Sequence, residues 1–161
     1  MLKSKYGYWD VTIEKSGRMK LPAALLKMLP EDDRTSFWMT RGFGKYIALW
    51  TAPAYQEQID YMDNLDEHII QNRVYRNAFL KNLLAIECDA QNRFVIPRPL
   101  IEFYEIDRDV VVILSKGLIE IWSLNNYNAQ FDLNPEDFAK LNEKISINKQ
   151  RKEEDNHVQL S

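Results

Sequence analysis

The chain has 161 residues, of which 45% are hydrophobic and 28% charged, and its formal net charge at pH 7 is −3. This length suits one compact domain or two small ones. No apolar run approaches the roughly 20 residues that span a membrane, and the start of the chain lacks the apolar core of a signal peptide. One cysteine, Cys88, and two histidines support neither an internal disulfide, a zinc cluster nor a Cys/His catalytic pair. The sequence predicts a cytoplasmic protein with a buried, inert thiol and without metal or other cofactor.

The charge is unevenly distributed along the chain. Residues 1–52 carry nine positive and five negative side chains, whereas the remainder carries twelve positive and nineteen negative ones. A basic N-terminal part could hold the phosphates of a partner against one face of the protein. Uneven surface charge without a function explains the same numbers equally well.

The first predicted element is a half-buried strand, because Trp9, Val11 and Ile13 alternate with polar residues. A polar turn, Lys15-Ser16-Gly17, leads into a second short strand over residues 18–21. The glycine of this turn adopts positive φ at little cost. We therefore expect a left-handed turn between the two strands.

A short helix and two further strands follow. Pro22 opens the helix and Pro30 stops it. Residues 36–40 and 46–50 have the composition of strands joined by a loop that contains glycine. Thr51 is a candidate N-cap for the next helix. The apolar face of that helix is predicted to contain Tyr55, Ile59 and Met62.

The second half of the chain repeats this order. An offset of 75 residues relates Arg18 to Arg93, Pro22 to Pro97 and Gly42 to Gly117, and, after three extra residues in the first copy, an offset of 72 relates Trp50 to Trp122. Asn92 stands where the first turn has glycine, and asparagine is among the few residues that tolerate positive φ. These matches predict two copies of one small β-rich unit.

The boundaries follow from this repeat. They are a first unit at residues 4–52, a helical connector at 53–84 with its helix near 72–84, a second unit at 85–132, a C-terminal helix at 133–147 and a disordered tail at 148–161. In the second unit, residues 110–114 form a continuous apolar run, which predicts a strand buried on both faces. The four tryptophans lie in strand patterns and are predicted to be core residues.

The two turn sequences carry a family resemblance. The second reads Asp89-Ala90-Gln91-Asn92-Arg93, followed by Ile96-Pro97, and the first reads Glu14-Lys15-Ser16-Gly17-Arg18. Together with Arg76-Asn77-Ala78-Phe79-Leu80 and Ile119-Glu120-Ile121-Trp122, they resemble MraZ, a bacterial regulator associated with the division and cell-wall gene cluster. The resemblance covers roughly residues 4–132.

The resemblance implies a mainly β fold with short helices, in which two AbrB-like units interlock as a swapped-hairpin β-barrel. It also implies ring assemblies of several subunits and binding to double-stranded DNA. The chain departs from the usual pattern at Ser16, where lysine or glutamine is common, at Asn92, which replaces the second glycine, and at Lys20, where the residue is often apolar or small.

The predicted DNA-binding residues lie in the first turn and strand. Arg18 is the candidate for base or phosphate contact, since a guanidinium group matches O6 and N7 of guanine. Lys15 and Lys20 are candidates for phosphate contact, as is Ser16 through its hydroxyl or backbone N–H. Arg93 is a weaker candidate in the acidic second half.

A structural role for both arginines is the alternative interpretation. Arg18 could pair with a carboxylate such as Glu14 to fix the turn, and Arg93 has the acidic neighbours Asp89 and Glu87. Sequence alone does not decide between pairing and DNA contact.

The function predicted is that of a nucleoid-associated DNA-binding transcriptional regulator, not an enzyme, that binds repeated DNA boxes as a homo-oligomer. No nucleophile, base and orienting group stand in a catalytic arrangement, and neither a small-molecule substrate nor a membrane partner is expected. Two alternatives stay open, namely an AbrB-family DNA binder of the antitoxin type and an assembly or scaffold protein without a DNA role.

Overall fold

The structure, a computed structural model, describes residues 4–160. The chain divides into two compact units, one that extends up to Tyr127 and one that starts at Asn128. All the strands described here lie in the first unit. The second unit consists of helical residues and the short segment between two helices.

The elements have the following bounds. The strands are β1 (Tyr6–Thr12), β2 (Arg18–Lys20), β3 (Ser36–Arg41), β4 (Ile47–Trp50), β5 (Leu84–Glu87), β6 (Arg93–Val95), β7 (Asp109–Ser115) and β8 (Leu118–Ser123). The α-helices are α1 (Ala23–Lys27), α2 (Ala52–Asp63), α3 (Ile70–Leu80), α4 (Arg98–Phe103), α5 (Leu124–Phe131) and α6 (Pro135–Leu160), and a short 3-10 helix spans Glu31–Asp33. The fold is therefore mainly sheet with several helices, as predicted.

Strands of the two halves pair with each other. Six strands form one antiparallel sheet in the order β1-β7-β8-β4-β3-β5. The first strand of the chain thus pairs with β7, with Trp9 opposite Val112, and β5 pairs back onto β3, with Phe37 opposite Ile86. The two short strands β2 and β6 pair antiparallel as a separate two-stranded sheet, called the ribbon below.

The six-stranded sheet is not closed. Its edge strands are β1 and β5, which do not pair with each other. The family resemblance implied a β-barrel, and a closed barrel is not what the structure contains. The physical reason lies in the ribbon, because β2 and β6 satisfy each other's backbone groups instead of joining the two edges of the sheet.

Apolar side chains pack on both faces of the sheet. One face, with Met39 and Leu49, forms a core with the ribbon residues Met19 and Phe94 and with apolar residues of α1 and α4. The other face packs against α2 and α3 and forms a second core. Its buried residues are Tyr46, Ala48, Trp50, Val111 and Trp122 of the sheet side together with Met62 of α2 and Phe79 of α3. Strand β7 contributes to both cores, so the prediction that residues 110–114 are buried on both faces is confirmed.

The helices differ from the sequence predictions in several places. Thr51 occupies the N-cap position of α2 without a side-chain cap, because its hydroxyl donates to the carbonyl of Gly117 at 2.9 Å. The connector helix α3 ends at Leu80, so that residues 84–87 form β5. The short helix α5 has no counterpart in the predictions.

The C-terminal helix is longer than predicted. Helix α6 is continuous from Pro135 to Leu160, through the segment for which the sequence predicted disorder, whose last residue, Ser161, lies outside the described residues. Lysine, glutamine, arginine and glutamate dominate residues 149–154, and all four favour helix. High polarity therefore does not exclude a helix here.

Candidate nucleic-acid interface

The ribbon begins at two tight turns with left-handed backbone. In the first turn, Gly17 has a φ of +87° and its N–H donates to the carbonyl of Glu14 at 2.9 Å. A Cβ atom at this glycine would lie 2.7 Å from the backbone oxygen of Ile96. In the second turn, Asn92 has a φ of +61°. The predicted left-handed turns are confirmed at both positions.

Each turn is held by the opposite half of the chain. The N–H of Ile96 donates to the carbonyl of Gly17 at 2.9 Å, and the N–H of Leu21 donates to the carbonyl of Asn92 at 3.0 Å. These bonds extend the β2–β6 ladder by one residue at each end. The geometry of either turn therefore depends on both halves.

The strand register places three cationic residues on one exposed face of the ribbon. Met19 lies opposite Phe94, and both are buried in the core. Because side chains alternate along a strand, their neighbours point the other way. Arg18, Lys20 and Arg93 therefore share the outer face, with Lys20 directly opposite Arg93. The structure thus brings two of the predicted DNA-binding residues together with the weaker candidate.

Arg18 forms a bidentate ion pair with Glu14, in the turn that precedes it. Its Nε and Nη2 donate to the two carboxylate oxygens of Glu14 at 2.8 and 3.2 Å. This bond lowers the pKa of the Glu14 carboxyl and raises that of the Arg18 guanidinium. The pairing considered in the structural interpretation of Arg18 is therefore present in the free protein.

Arg93 is likewise bound by side chains of the turn that precedes it. Its Nε donates to Asp89 at 2.9 Å, and its Nη2 donates to Oε1 of Gln91 at 3.1 Å. The other carboxylate oxygen of Asp89 accepts the backbone N–H groups of Gln91 and Arg93, both at 2.9 Å. The backbone bond from Arg93 is the main reason that the pKa of Asp89 is lowered.

These ion pairs remain accessible to water. The side chains of Arg18 and Arg93 keep 41% and 32% of their surface exposed. Exposed pairs contribute little to stability because water screens them. A guanidinium group at such a site can exchange its carboxylate partner for a phosphate at small cost, so pairing and DNA contact are compatible.

The remaining candidates, Lys15, Ser16 and Lys20, are exposed. Neither lysine forms an ion pair within residues 4–160. The hydroxyl of Ser16 accepts the N–H of Arg18 only at 3.4 Å. The lysine charges are therefore not compensated by the two carboxylates of the turns, which the arginines already occupy.

The structure adds one residue that the sequence predictions missed. Arg98, at the start of α4, donates from Nη2 to the backbone carbonyl of Lys15 at a long 3.5 Å. A comparison of the two copies could have found this residue, because an arginine directly follows Ile96-Pro97 where the first copy has Ala23 after Pro22. Sequence separation hid this contact, since the two residues are 83 positions apart.

Other predicted features have the following positions. Trp50 and Trp122 are buried in the core, whereas Trp9 and Trp38 are partly buried against it. Cys88 is half-buried, and burial raises the pKa of its thiol to about 11. Within the described part of the chain, no group of residues could hold a metal ion and no helix is long and apolar enough to cross a membrane.

Comparison with known proteins supports the family resemblance of the two turn sequences. A family model described as "MraZ protein, putative antitoxin-like" matches residues 79–149. The transcriptional regulator MraZ of Cytophaga hutchinsonii is 30% identical over 138 residues, which cover 86% of this chain and 91% of the relative. The chain belongs to the MraZ family.

Further MraZ relatives match over a similar length. The transcriptional regulators MraZ of Flavobacterium psychrophilum and Christiangramia forsetii are 26% and 24% identical over 143 residues, which cover 88% of this chain and 91% and 92% of the relatives. Matches of this length include most of both halves, whereas the family model covers the second half and part of α6. The resemblance to MraZ seen in the turns is thus confirmed.

Proposed function

We propose that this MraZ-family protein is a transcriptional regulator that binds double-stranded DNA through the outer face of the ribbon. The observation that carries the proposal is the convergence of Arg18, Lys20 and Arg93 on that face, with Lys15 in the adjoining turn. The names of the MraZ relatives support the regulatory role.

A ribbon of this kind suits DNA on physical grounds. A two-stranded β-ribbon fits the major groove, where the edges of the base pairs differ. Arg18 is proposed for base or phosphate contact, and Lys15, Ser16 and Lys20 for phosphate contact. Arg93, which lies opposite Lys20, joins them as a fifth contact.

We base the proposed units of the fold on the strand pairs that join the two halves of the chain. Pairing of β1 with β7, β5 with β3 and β2 with β6 supports two interlocked AbrB-like units, the swapped-hairpin arrangement that the family resemblance implies. We propose residues 4–52 and 85–132 as these units and 53–84 as their connector. In a cell, this function places the protein in the cytoplasm, at the nucleoid.

Assembly of several chains is part of the proposal. One ribbon with few cations would bind DNA weakly, since non-specific affinities are about 10⁻⁴ to 10⁻⁶ M at physiological salt. Several ribbons on repeated DNA boxes would gain a factor of about 10² to 10⁴ by avidity. Exposed apolar side chains suited to such assembly are Ile70 and Val74 in α3 and Phe138 and Ile145 in α6.

A salt series tests the DNA-binding role. Fluorescence anisotropy would measure binding to a labelled duplex from upstream of the protein's own gene, for the wild type, Arg18→Ala and Arg73→Ala. Arg73 is an exposed arginine of α3, which packs on the sheet face opposite the ribbon. We expect Arg18→Ala to lose about 1–3 kcal/mol of binding free energy, and Arg73→Ala to bind as the wild type does.

Two results would contradict the proposal. One is absence of binding at low salt, and the other is binding that depends on neither salt nor Arg18. Either result would favour a scaffold role for the apolar helix faces. Copurification with a small toxin would instead favour an antitoxin of the AbrB type.

A further inference from the structure

The first turn is contacted by an arginine that belongs to the other half of the chain. Arg98 reaches the carbonyl of Lys15, as described above. The matching position in the first half is Ala23, the first residue of α1, which has no charge to offer the second turn. The two turns share their backbone conformation but not their charged surroundings.

Arg98 has unused hydrogen-bonding capacity. A guanidinium group carries five N–H donors, and the one hydrogen bond of Arg98 among the described residues is the long one to Lys15. No carboxylate within residues 4–160 forms an ion pair with it, and the residue is exposed. The carboxylates of Glu14 and Asp89 are already bound to Arg18 and Arg93.

Lys15 and Arg98 therefore place two uncompensated cations beside one turn. A pair of this kind attracts a group with two or more acidic oxygens, and a phosphodiester is such a group. The second turn has Ala90 at the position of Lys15 and Ala23 at the position of Arg98, and so lacks both charges.

We propose that Arg98 binds a DNA phosphate beside the first turn, so that the second half of the chain completes the phosphate contact made by Lys15. This inference rests on the proposed DNA-binding function and adds one residue to it. The bond to the Lys15 carbonyl positions the turn, while the rest of the guanidinium group faces the phosphate.

Three substitutions separate charge from positioning. Arg98→Ala removes both the charge and the hydrogen bond, Arg98→Gln keeps an N–H donor without charge, and Arg98→Lys keeps the charge. Binding to the upstream duplex, and to a scrambled duplex of equal length, would be measured by anisotropy between about 50 and 200 mM NaCl. Arg73→Ala serves as the control, and thermal melts check that each variant folds.

The slope of log K against log salt is the deciding quantity. Each phosphate contact contributes about 0.9 to this slope, so that affinity per contact falls roughly three- to fourfold over this salt range. We expect Arg98→Ala and Arg98→Gln to lose about 0.9 from the slope on both duplexes, whereas Arg98→Lys and Arg73→Ala keep it.

The inference is overturned if Arg98→Ala and Arg98→Gln keep the wild-type slope, or if Arg98→Lys loses it as well. With Arg18→Ala still impaired, such a result removes Arg98 from the interface and leaves the proposed function intact. Absence of salt-dependent binding by the wild type would instead remove the proposed function and this inference together.

Discussion

Arg18 and Glu14 combine a structural bond with an exposed charge. The bond holds the turn closed, and the same guanidinium group lies on the ribbon face with Lys20 and Arg93. Because the pair is exposed, its stabilising contribution is small and its partner can change. The ion pair in the free protein is therefore compatible with the proposed DNA contact of Arg18.

The carboxylates of the two turns predict a dependence of stability on pH. Glu14 and Asp89 have pKa values lowered by hydrogen bonds from Arg18 and Arg93, so folding is favoured while they are ionised. Their contribution is complete above the unfolded-state values of about 4.3 and 3.9, and is lost as pH falls through the lower folded-state values. We expect urea unfolding between pH 6 and pH 2 to show a smaller loss of stability in Glu14→Gln/Asp89→Asn than in the wild type.

An equal dependence of stability on pH in the two proteins would show that folding does not lower the pKa values of these carboxylates. Glu136→Gln/Asp137→Asn in the first turn of α6 is a matched control, since neither residue forms an ion pair with an arginine within residues 4–160. This control variant should lose stability between pH 6 and pH 2 to the same extent as the wild type.

Gly17 and Asn92 provide a matched test of the left-handed turns. Gly17→Ala should destabilise the protein by more than about 1–2 kcal/mol, because alanine is strained at positive φ and its Cβ would approach the Ile96 oxygen. Asn92→Gly keeps a residue that accepts this conformation and should change stability by less than about 1 kcal/mol. The free energy of unfolding in urea measures both, and equal effects would contradict this account of the turns.

Among the strands and helices, local sequence patterns predicted those whose bounds depend on neighbouring residues. Alternation, prolines and the Gly/Asn turns gave β1, β2, α1, β3 and β4 close to their observed bounds. Three misses have a common cause, because each depends on a distant partner. The Thr51 hydroxyl donates to Gly117, Arg98 reaches Lys15, and the ribbon strands pair with each other instead of closing a barrel.

The candidate site was predicted only in part for the same reason. Arg18 and Lys20 share a strand face, which the sequence period of two reveals. The position of Arg93 opposite Lys20 follows from pairing between residues 73 positions apart, which no local pattern encodes. The resemblance to MraZ supplied the expectation that the halves interlock.

The central strands predict a large difference between two leucines. Leu49 in β4 has no exposed surface, whereas Leu84 on the edge strand β5 is 40% exposed. Leu49→Ala should cost about 2–5 kcal/mol, because it leaves a cavity in the core, and Leu84→Ala less than about 1 kcal/mol. Urea denaturation measures both values, and comparable losses would contradict the assignment of the core to the inner strands.

For the whole molecule, exchange of strands makes the halves interdependent. Strands β1 and β5 each pair with the other half, and both cores draw residues from both halves. A fragment of residues 1–69 should therefore lack a folded far-UV circular dichroism spectrum and a cooperative melt at low concentration. Equimolar addition of residues 70–161 should restore both.

A truncation after Phe131, which removes α6 and keeps every strand, is the matched control and should retain the cooperative melt. If residues 1–69 alone fold as a stable monomer, the pairing across the halves is not required for the fold.

The fold brings basic residues from both halves of the chain together on one surface. The first half is the more basic, yet the outer ribbon face combines Arg18 and Lys20 with Arg93 from the acidic half. The proposed interface belongs to the pair of halves and not to the first alone. Its net charge is positive although that of the protein is negative.

The most direct measurement is hydrogen–deuterium exchange of the full chain with and without the upstream duplex, followed by mass spectrometry. We expect slower exchange in residues 13–21 and 88–96 when DNA is bound, and loss of this effect in Arg18→Ala/Arg93→Ala. Protection confined to the helices, or no protection in either turn at saturating DNA, would contradict the ribbon as the DNA-binding surface.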